Sequence, residues 1–235
     1  REIGPYLPTD KKLHEMMVKS YEILKNHPIN EKRRQEGLNP ANCCWFWGAG
    51  TRPSLPSFYE KTGKKGIMIS AVDLLKGIAV GAGMDVAGVE GANGGLDTNY
   101  EGKTQAALDA LVRDGYDFAY IHIEAPDEMG HQGSVEKKLQ AIEYLDRRVV
   151  APLTAGLDAS GLDYRLMVLP DHPTPIRLRT HTAESVPYLI YDSTNVQKND
   201  WSYNEAEAIL SANYISERPL LMDQFLGLKQ PSYRL

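Results

Sequence analysis

The sequence has 235 residues, 42% hydrophobic and 24% charged, which is enough to bury a core in one large or two small domains. Its net charge of −5 includes no run of like charge suited to a nucleic-acid tail, so a small-molecule partner is favoured over nucleic acid or membrane. No stretch approaches the roughly 20 apolar residues of a bilayer span.

The amino-terminal REIGPYLPTDKK has no secretory hydrophobic region. Cys43 and Cys44 are adjacent, poor geometry for a structural disulfide and without CxxC metal spacing, which fits a reducing cytoplasm. Residues 10–26, DKKLHEMMVKSYEILKN, place Leu13, Met16, Met17, Tyr21 and Leu24 at helical spacing, with Thr9 or Asp10 as cap. The following NHPINEKRRQEGLNPAN reads as loop, its Lys32-Arg33-Arg34 run as a solvated face. Near residue 60 the pattern changes. KGIMIS, DFAYIHIE, DYRLMVL and PYLIY are short runs rich in β-branched and aromatic residues and read as strands. Between them AVDLLKGIAVGAG, TQAALDALVRD and SVEKKLQAIEYLDRRVVAPL carry helical patterns, the last with Ser134 as cap. Alternating strands and helices predict an α/β fold: three layers around a mostly parallel sheet.

In an open α/β sheet, ligands gather beyond the carboxyl ends of the strands. Asp127 and His131 follow DFAYIHIE, Asp171 and His172 follow DYRLMVLP directly, and His181 precedes PYLIY. Each piece alone has an ordinary explanation: a capping Asp with a surface His, a turn ahead of Pro173-Thr174-Pro175, a polar side chain. Their conjunction points to metal. Carboxylates with neutral imidazoles suit a borderline divalent cation such as Mn²⁺ or Zn²⁺, and five donors are too many for one four-coordinate site. The glycine-rich GVEGANGGLDTNYEG lacks the GxxxxGK[ST] pattern of a P-loop and reads as a turn-rich loop, with Asp97 and Asn99 as pocket-lining candidates.

APDEMGHQG, LPDHPTP and THTAESVPYLIY together resemble the metal-ligand signature of the alkaline phosphatase superfamily. Within it the chain is most similar to the archaeal-type, cofactor-independent phosphoglycerate mutases, whose bacterial members are sometimes labelled homoserine kinases. GIMISAVDLLKGIAVGAGMDVAGVEGANGGLDTNYEGK and WGAGTRPSLPSF extend the resemblance over essentially the whole chain. It implies an alkaline-phosphatase-like α/β/α core with an inserted cap domain. It also implies two divalent ions, Mn²⁺ first with Mg²⁺ or Zn²⁺ as alternatives. Asp127, His131 and His181 would hold one, and Asp171 and His172 would contribute to the second. The implied reaction interconverts 3-phosphoglycerate and 2-phosphoglycerate through a phosphoserine intermediate, with a small phosphorylated metabolite as partner and neither nucleic acid nor membrane.

Lys76 matches the family's phosphate-binding lysine and reads equally well as a solvated helix lysine. Arg52, in the glycine-flanked GAGTRPSL, is placed to meet a substrate carboxylate or phosphate. The family often carries an arginine immediately before Gly-Ala-Gly, where this sequence has Trp47, a departure at substrate recognition. The family's nucleophilic serine and neighbouring aspartate ligand have no recognisable counterpart before Asp127. With Arg1 as first residue, the expectation is a C-terminal portion: residues 1–60 as the tail of the cap, 61–235 as the metal-binding phosphatase-like domain, binding metal but not catalysing alone. Two alternatives share these features. One is a phosphotransferase or phosphatase acting on homoserine or another small metabolite; the other is a non-catalytic scaffold.

Overall fold

A carboxylate just ahead of an apolar periodic stretch starts the first long helix. In the computed structural model, which describes residues 2–46, 48, 50, 51, 53–216 and 218–228, the Asp10 side chain accepts from Leu13 N at 2.9 Å and opens α1 (Lys11–Leu24). The chain divides into two compact units, Arg1–Pro53 and Ser54–Leu235.

In the first unit α1 buries Met17. The stretch expected to be loop contains a second helix, α2 (Pro28–Gln35), and that expectation is corrected. The local reasons are clear. Pro28 sits in the first turn, where its missing N–H costs nothing, and His27 accepts from Ile29 N at 3.3 Å. Glu31 lies in the first turn and Lys32, Arg33 and Arg34 in the last, matching the helix dipole at both ends. Asn30 is buried with its polar atoms partnered: its amide donates to the carbonyls of Leu24 and Ala41 at 2.7 and 2.8 Å, and its oxygen accepts from Ala41 N at 2.9 Å.

The second unit alternates strands and helices: α3 (Phe58–Thr62), β1 (Gly66–Ile69), α4 (Asp73–Gly81), β2 (Asp85–Val86), α5 (Tyr100–Val112) and β3 (Phe118–Ile121). Then come α6 (Ala125–Gln132), α7 (Val135–Leu145), a π-helical segment (Asp146–Val150) and α8 (Ala151–Ser160). The last elements are β4 (Arg165–Val168), β5 (Leu189–Asp192), α9 (Glu205–Leu210) and α10 (Arg218–Leu226). β1 lies between β2 and β3, both parallel to it, with Ile67 opposite Asp85 and Ala119. All four β1 residues are buried, as expected of a central parallel strand covered on both faces. β4 and β5 pair antiparallel, with Arg165 opposite Asp192.

Two clusters make the core. Ile67 and Ile69 of β1 pack with Ala107 and Ala110 of α5 and Leu153 and Leu157 of α8. Tyr100 of α5 packs with Ala125 and Met129 of α6, Ala141 of α7 and Val149 of the π segment. Full burial of a side chain such as Ile69 contributes about 1.5–3 kcal/mol. The second cluster anchors α6, the helix of Asp127 and His131. The single helical pattern expected over 134–153 continues to Ser160 and is interrupted by the π segment. Arg148 in that segment forms a two-pronged pair with Glu101, at 2.6 and 2.7 Å, and lies over the rings of Tyr100 and Tyr144.

Candidate metal centre

After β3 the chain turns straight into α6. Pro126 is in the first turn, Asp127 and Glu128 place negative charge at the positive end of the helix, and Gly133, with φ +72°, ends it. On this helix Asp127 and His131 are four residues apart and share one face. His131 Nε2 lies 3.3 Å from Asp127 Oδ2. His181, from the loop between β4 and β5, brings its Nε2 to 3.3 Å from Asp127 Oδ1 and 3.0 Å from His131 Nε2.

The hydrogen bonding around this triad decides what it can hold. His131 Nδ1 is 3.0 Å from the carbonyl of Arg179, which can only accept, so Nδ1 carries the proton and neutral His131 presents a bare Nε2. That lone pair meets a carboxylate oxygen and a second imidazole nitrogen. A proton on His181 Nε2 can serve only one of the two acceptors, whereas a divalent cation serves all three donors. Spacings of 3.0–3.3 Å are the edges expected between ligands about 2.0–2.2 Å from one shared ion. Side-chain exposures of 23% for Asp127, 35% for His131 and 51% for His181 leave the face open to an incoming ion. The donor set fits a divalent metal, and these three are the one such cluster among the described residues.

The other predicted ligands lie beside it. The His172 ring stacks on His181 with centroids 3.7 Å apart. Asp171 Oδ2 is 3.2 Å from His172 Nε2, and Asp171 Oδ1 accepts from the His172 backbone N–H at 2.9 Å. Lys76 sits on α4, half-exposed, with its ammonium 3.2 Å from Asp73. Arg52 and Trp47 lie outside the described residues. Asn99 caps α5 by accepting from Gly102 N, and Asp97 accepts from the Asn93 amide, so both organise the glycine-rich loop internally.

Several contributors carried no signal in the sequence. Buried Thr174 donates its hydroxyl to Asp127 Oδ1 and stands 3.4 Å from His172 Nδ1, linking the two predicted ligand groups. Its carbonyl accepts from Lys138 Nζ at 2.7 Å. Desolvation lowers the Lys138 pKa, against the pull of Asp127. At the end of β3, His122 Nδ1 is 3.3 Å from Ser70 Oγ, and burial pushes its imidazole below the ordinary value, opposed by Asp171. Beneath it, buried Lys103 donates to the carbonyls of His122 and Asn93 at 3.3 and 3.4 Å. Burial lowers the Lys103 pKa, with Glu124 opposing. Burial raises the Glu124 carboxyl, reinforced by Glu128 and Asp127. The Glu124 carboxylate occupies the space a Cβ at Gly94 would need, which ties the glycine-rich loop to the start of α6.

Comparison with known proteins places this arrangement. The chain is 46% identical over 211 residues to the 2,3-bisphosphoglycerate-independent phosphoglycerate mutase of Methanosarcina mazei, a match covering 88% of this chain and 53% of that protein. It is 50% identical over 196 residues to the enzyme of the same name from Methanothrix thermoacetophila, covering 82% of this chain and 50% of that one. A solved Pyrococcus horikoshii protein superposes with a TM-score of 0.74 at 30% identity, over 95% of this chain and 60% of its own. The chain thus spans about half the length of the curated relatives it matches. Among the described residues no helix is long and apolar enough to cross a membrane. A family model described as Metalloenzyme superfamily matches residues 13–213, a span that holds Asp127, His131, Asp171, His172 and His181, and the chain belongs to that superfamily.

Proposed function

We propose that this chain supplies the metal-binding half of a cofactor-independent phosphoglycerate mutase, which interconverts 3-phosphoglycerate and 2-phosphoglycerate through a phosphoserine. The observation that carries the reading is the convergence of Asp127, His131 and His181, with facing donor atoms 3.0–3.3 Å apart. Similarity to phosphoglycerate mutases at 46–50% identity supports the substrate class.

In this reading Asp127, His131 and His181 hold one divalent ion, and Asp171 and His172 contribute to a second, with Mn²⁺ preferred. When bound, such a pair supplies Lewis-acid charge on both sides of an in-line phosphoryl displacement. The chain's own residues do the rest. Thr174 keeps one Asp127 oxygen hydrogen-bonded, so the carboxylate cannot swing away from the imidazoles. Lys76, released from Asp73, meets the phosphoryl group as a compact cation, and Arg52 meets the substrate carboxylate or phosphate. Residues 1–60 act as part of a substrate-covering cap and 61–235 as the metal-binding domain. We assign the nucleophilic serine, and hence turnover, to the whole protein, in the cytoplasm.

The test is phosphorus NMR with 3-phosphoglycerate and Mn²⁺. A protein of the relatives' full length containing this sequence is expected to form 2-phosphoglycerate, and the 235-residue chain alone is expected to bind Mn²⁺ without turnover. Conversion at equal rates would contradict the division of labour. A full-length protein that leaves 3-phosphoglycerate unchanged but phosphorylates homoserine from ATP would contradict the substrate.

A further inference from the structure

The loop that delivers His181 contains a backbone anomaly. Arg179 has φ +54°, the left-handed region that non-glycine residues rarely occupy, and it is one of two such non-glycine residues among those described. Such a conformation is unfavourable for a side chain with a Cβ and persists only where its surroundings impose it. Here they do. The Arg179 N–H donates to the Pro175 carbonyl at 2.9 Å, as does Leu178 N, and Thr182 N donates to the Pro173 carbonyl at 3.1 Å. The guanidinium passes close to Gly133, with its Cζ 2.7 Å from where a Cβ at that glycine would stand. The Arg179 carbonyl is thereby aimed at His131 Nδ1, 3.0 Å away.

We propose that Arg179 is a positioning residue that fixes the tautomer and orientation of His131 through its main-chain carbonyl. The inference rests on the metal reading of the triad and extends it beyond the ligands. Its logic is conformational: the carbonyl reaches His131 because residue 179 is left-handed. A side chain that tolerates that region should therefore preserve the bond, and one that does not should break it. Asn accepts φ near +55°, while β-branched Val does not. Gly133 is a separate requirement, since its own φ of +72° favours glycine whatever stands at position 179.

The experiment compares the chain with its Arg179→Asn and Arg179→Val variants, using two readouts. Nitrogen–proton correlation NMR of histidine-labelled protein, metal-free at mildly alkaline pH, reads the His131 tautomer, and electron paramagnetic resonance reads Mn²⁺ affinity. Expected are an Nδ1–H tautomer in the parent, the same tautomer and unchanged Mn²⁺ affinity in Arg179→Asn, and loss of the single tautomer with about 10–100-fold weaker Mn²⁺ binding in Arg179→Val. An Nε2–H tautomer in the parent chain would overturn the proposal without recourse to any variant. So would a folded Arg179→Val that retains both tautomer and affinity, or an Arg179→Asn that loses them. A chain with the Nδ1–H tautomer that binds no Mn²⁺ supports the Arg179–His131 bond and refutes the metal reading alone.

Discussion

Gly130 and Gly133 show how single residues shape the candidate metal centre. Gly130 lies in α6 and Gly133 just past its end, and each receives part of the loop carrying His172 and His181. A Cβ at Gly130 would stand 2.6 Å from the Thr174 carbonyl oxygen and 3.0 Å from Lys138 Nζ. Because the nearest obstacle is backbone, it cannot swing aside. In an unobstructed helix interior, Gly→Ala stabilises by roughly 0.5–1 kcal/mol. Here the clash reverses the sign, and Gly130→Ala is expected to destabilise by about 1–3 kcal/mol in urea unfolding. It should also weaken Mn²⁺ binding, since Thr174 would be pushed off Asp127. A stabilised Gly130→Ala would show that the loop does not approach α6 this closely. None of this was legible in DEMGHQG. Asp127 and His131 could be picked out as donors following a strand, but a glycine's tolerance for a neighbouring carbonyl depends on contacts 44 positions away. Likewise, the left-handed backbone of Arg179 leaves no compositional trace.

Elements were read more reliably where burial is one-sided or complete. The runs that became β1, β3, β4 and β5 stood out by their β-branched, aromatic and aliphatic residues, although only β1 is buried throughout. α2 was missed because its mean composition is polar and it buries only Asn30; its cues are local, in Pro28, Glu31 and the basic last turn. The helical form of α6 was equally open to Pro126, the acidic first turn and Gly133 as start and stop signals, yet its few apolar residues gave no periodicity. The antiparallel pairing of β4 and β5 could not be read from strands buried alike.

That pair carries a pH-dependent contact. Asp192 accepts from Thr194 Oγ1 at 2.6 Å and from Arg165 Nε at 2.7 Å. The Thr194 hydroxyl first, and the Arg165 guanidinium second, hold the carboxyl down from 3.8 to about 2. A depressed carboxyl stabilises the native state fully above the unfolded value and loses that contribution as pH falls through the folded one. Asp192→Asn is therefore expected to lower stability at neutral pH and to flatten the decline between pH 3.8 and about 2, read by circular dichroism during acid titration. An unchanged acid limb would contradict the assignment.

At the scale of the molecule, β4 and β5 form a sheet of their own beside the parallel β2-β1-β3 sheet, and the donors meet where α6, which follows β3, touches the loop between β4 and β5. A ligand that binds only the folded state stabilises it in proportion to the logarithm of its concentration. Mn²⁺ at about a hundred times its dissociation constant should contribute about 2.7 kcal/mol. For a unit of this size that is a rise of about 5–10 °C in the midpoint, reversed by a chelator. The rise should vanish in Asp127→Asn. A midpoint indifferent to Mn²⁺ and chelator would count against a metal at this rim.

The most direct measurement is anomalous scattering from crystals of the chain grown with Mn²⁺. We predict a peak bounded by an Asp127 carboxylate oxygen, His131 Nε2 and His181 Nε2, each about 2.0–2.2 Å away. A well-ordered map with no peak between those atoms, or with His131 donating Nε2–H to Asp127 in its place, would contradict the metal centre and the phosphoryl-transfer reading built on it.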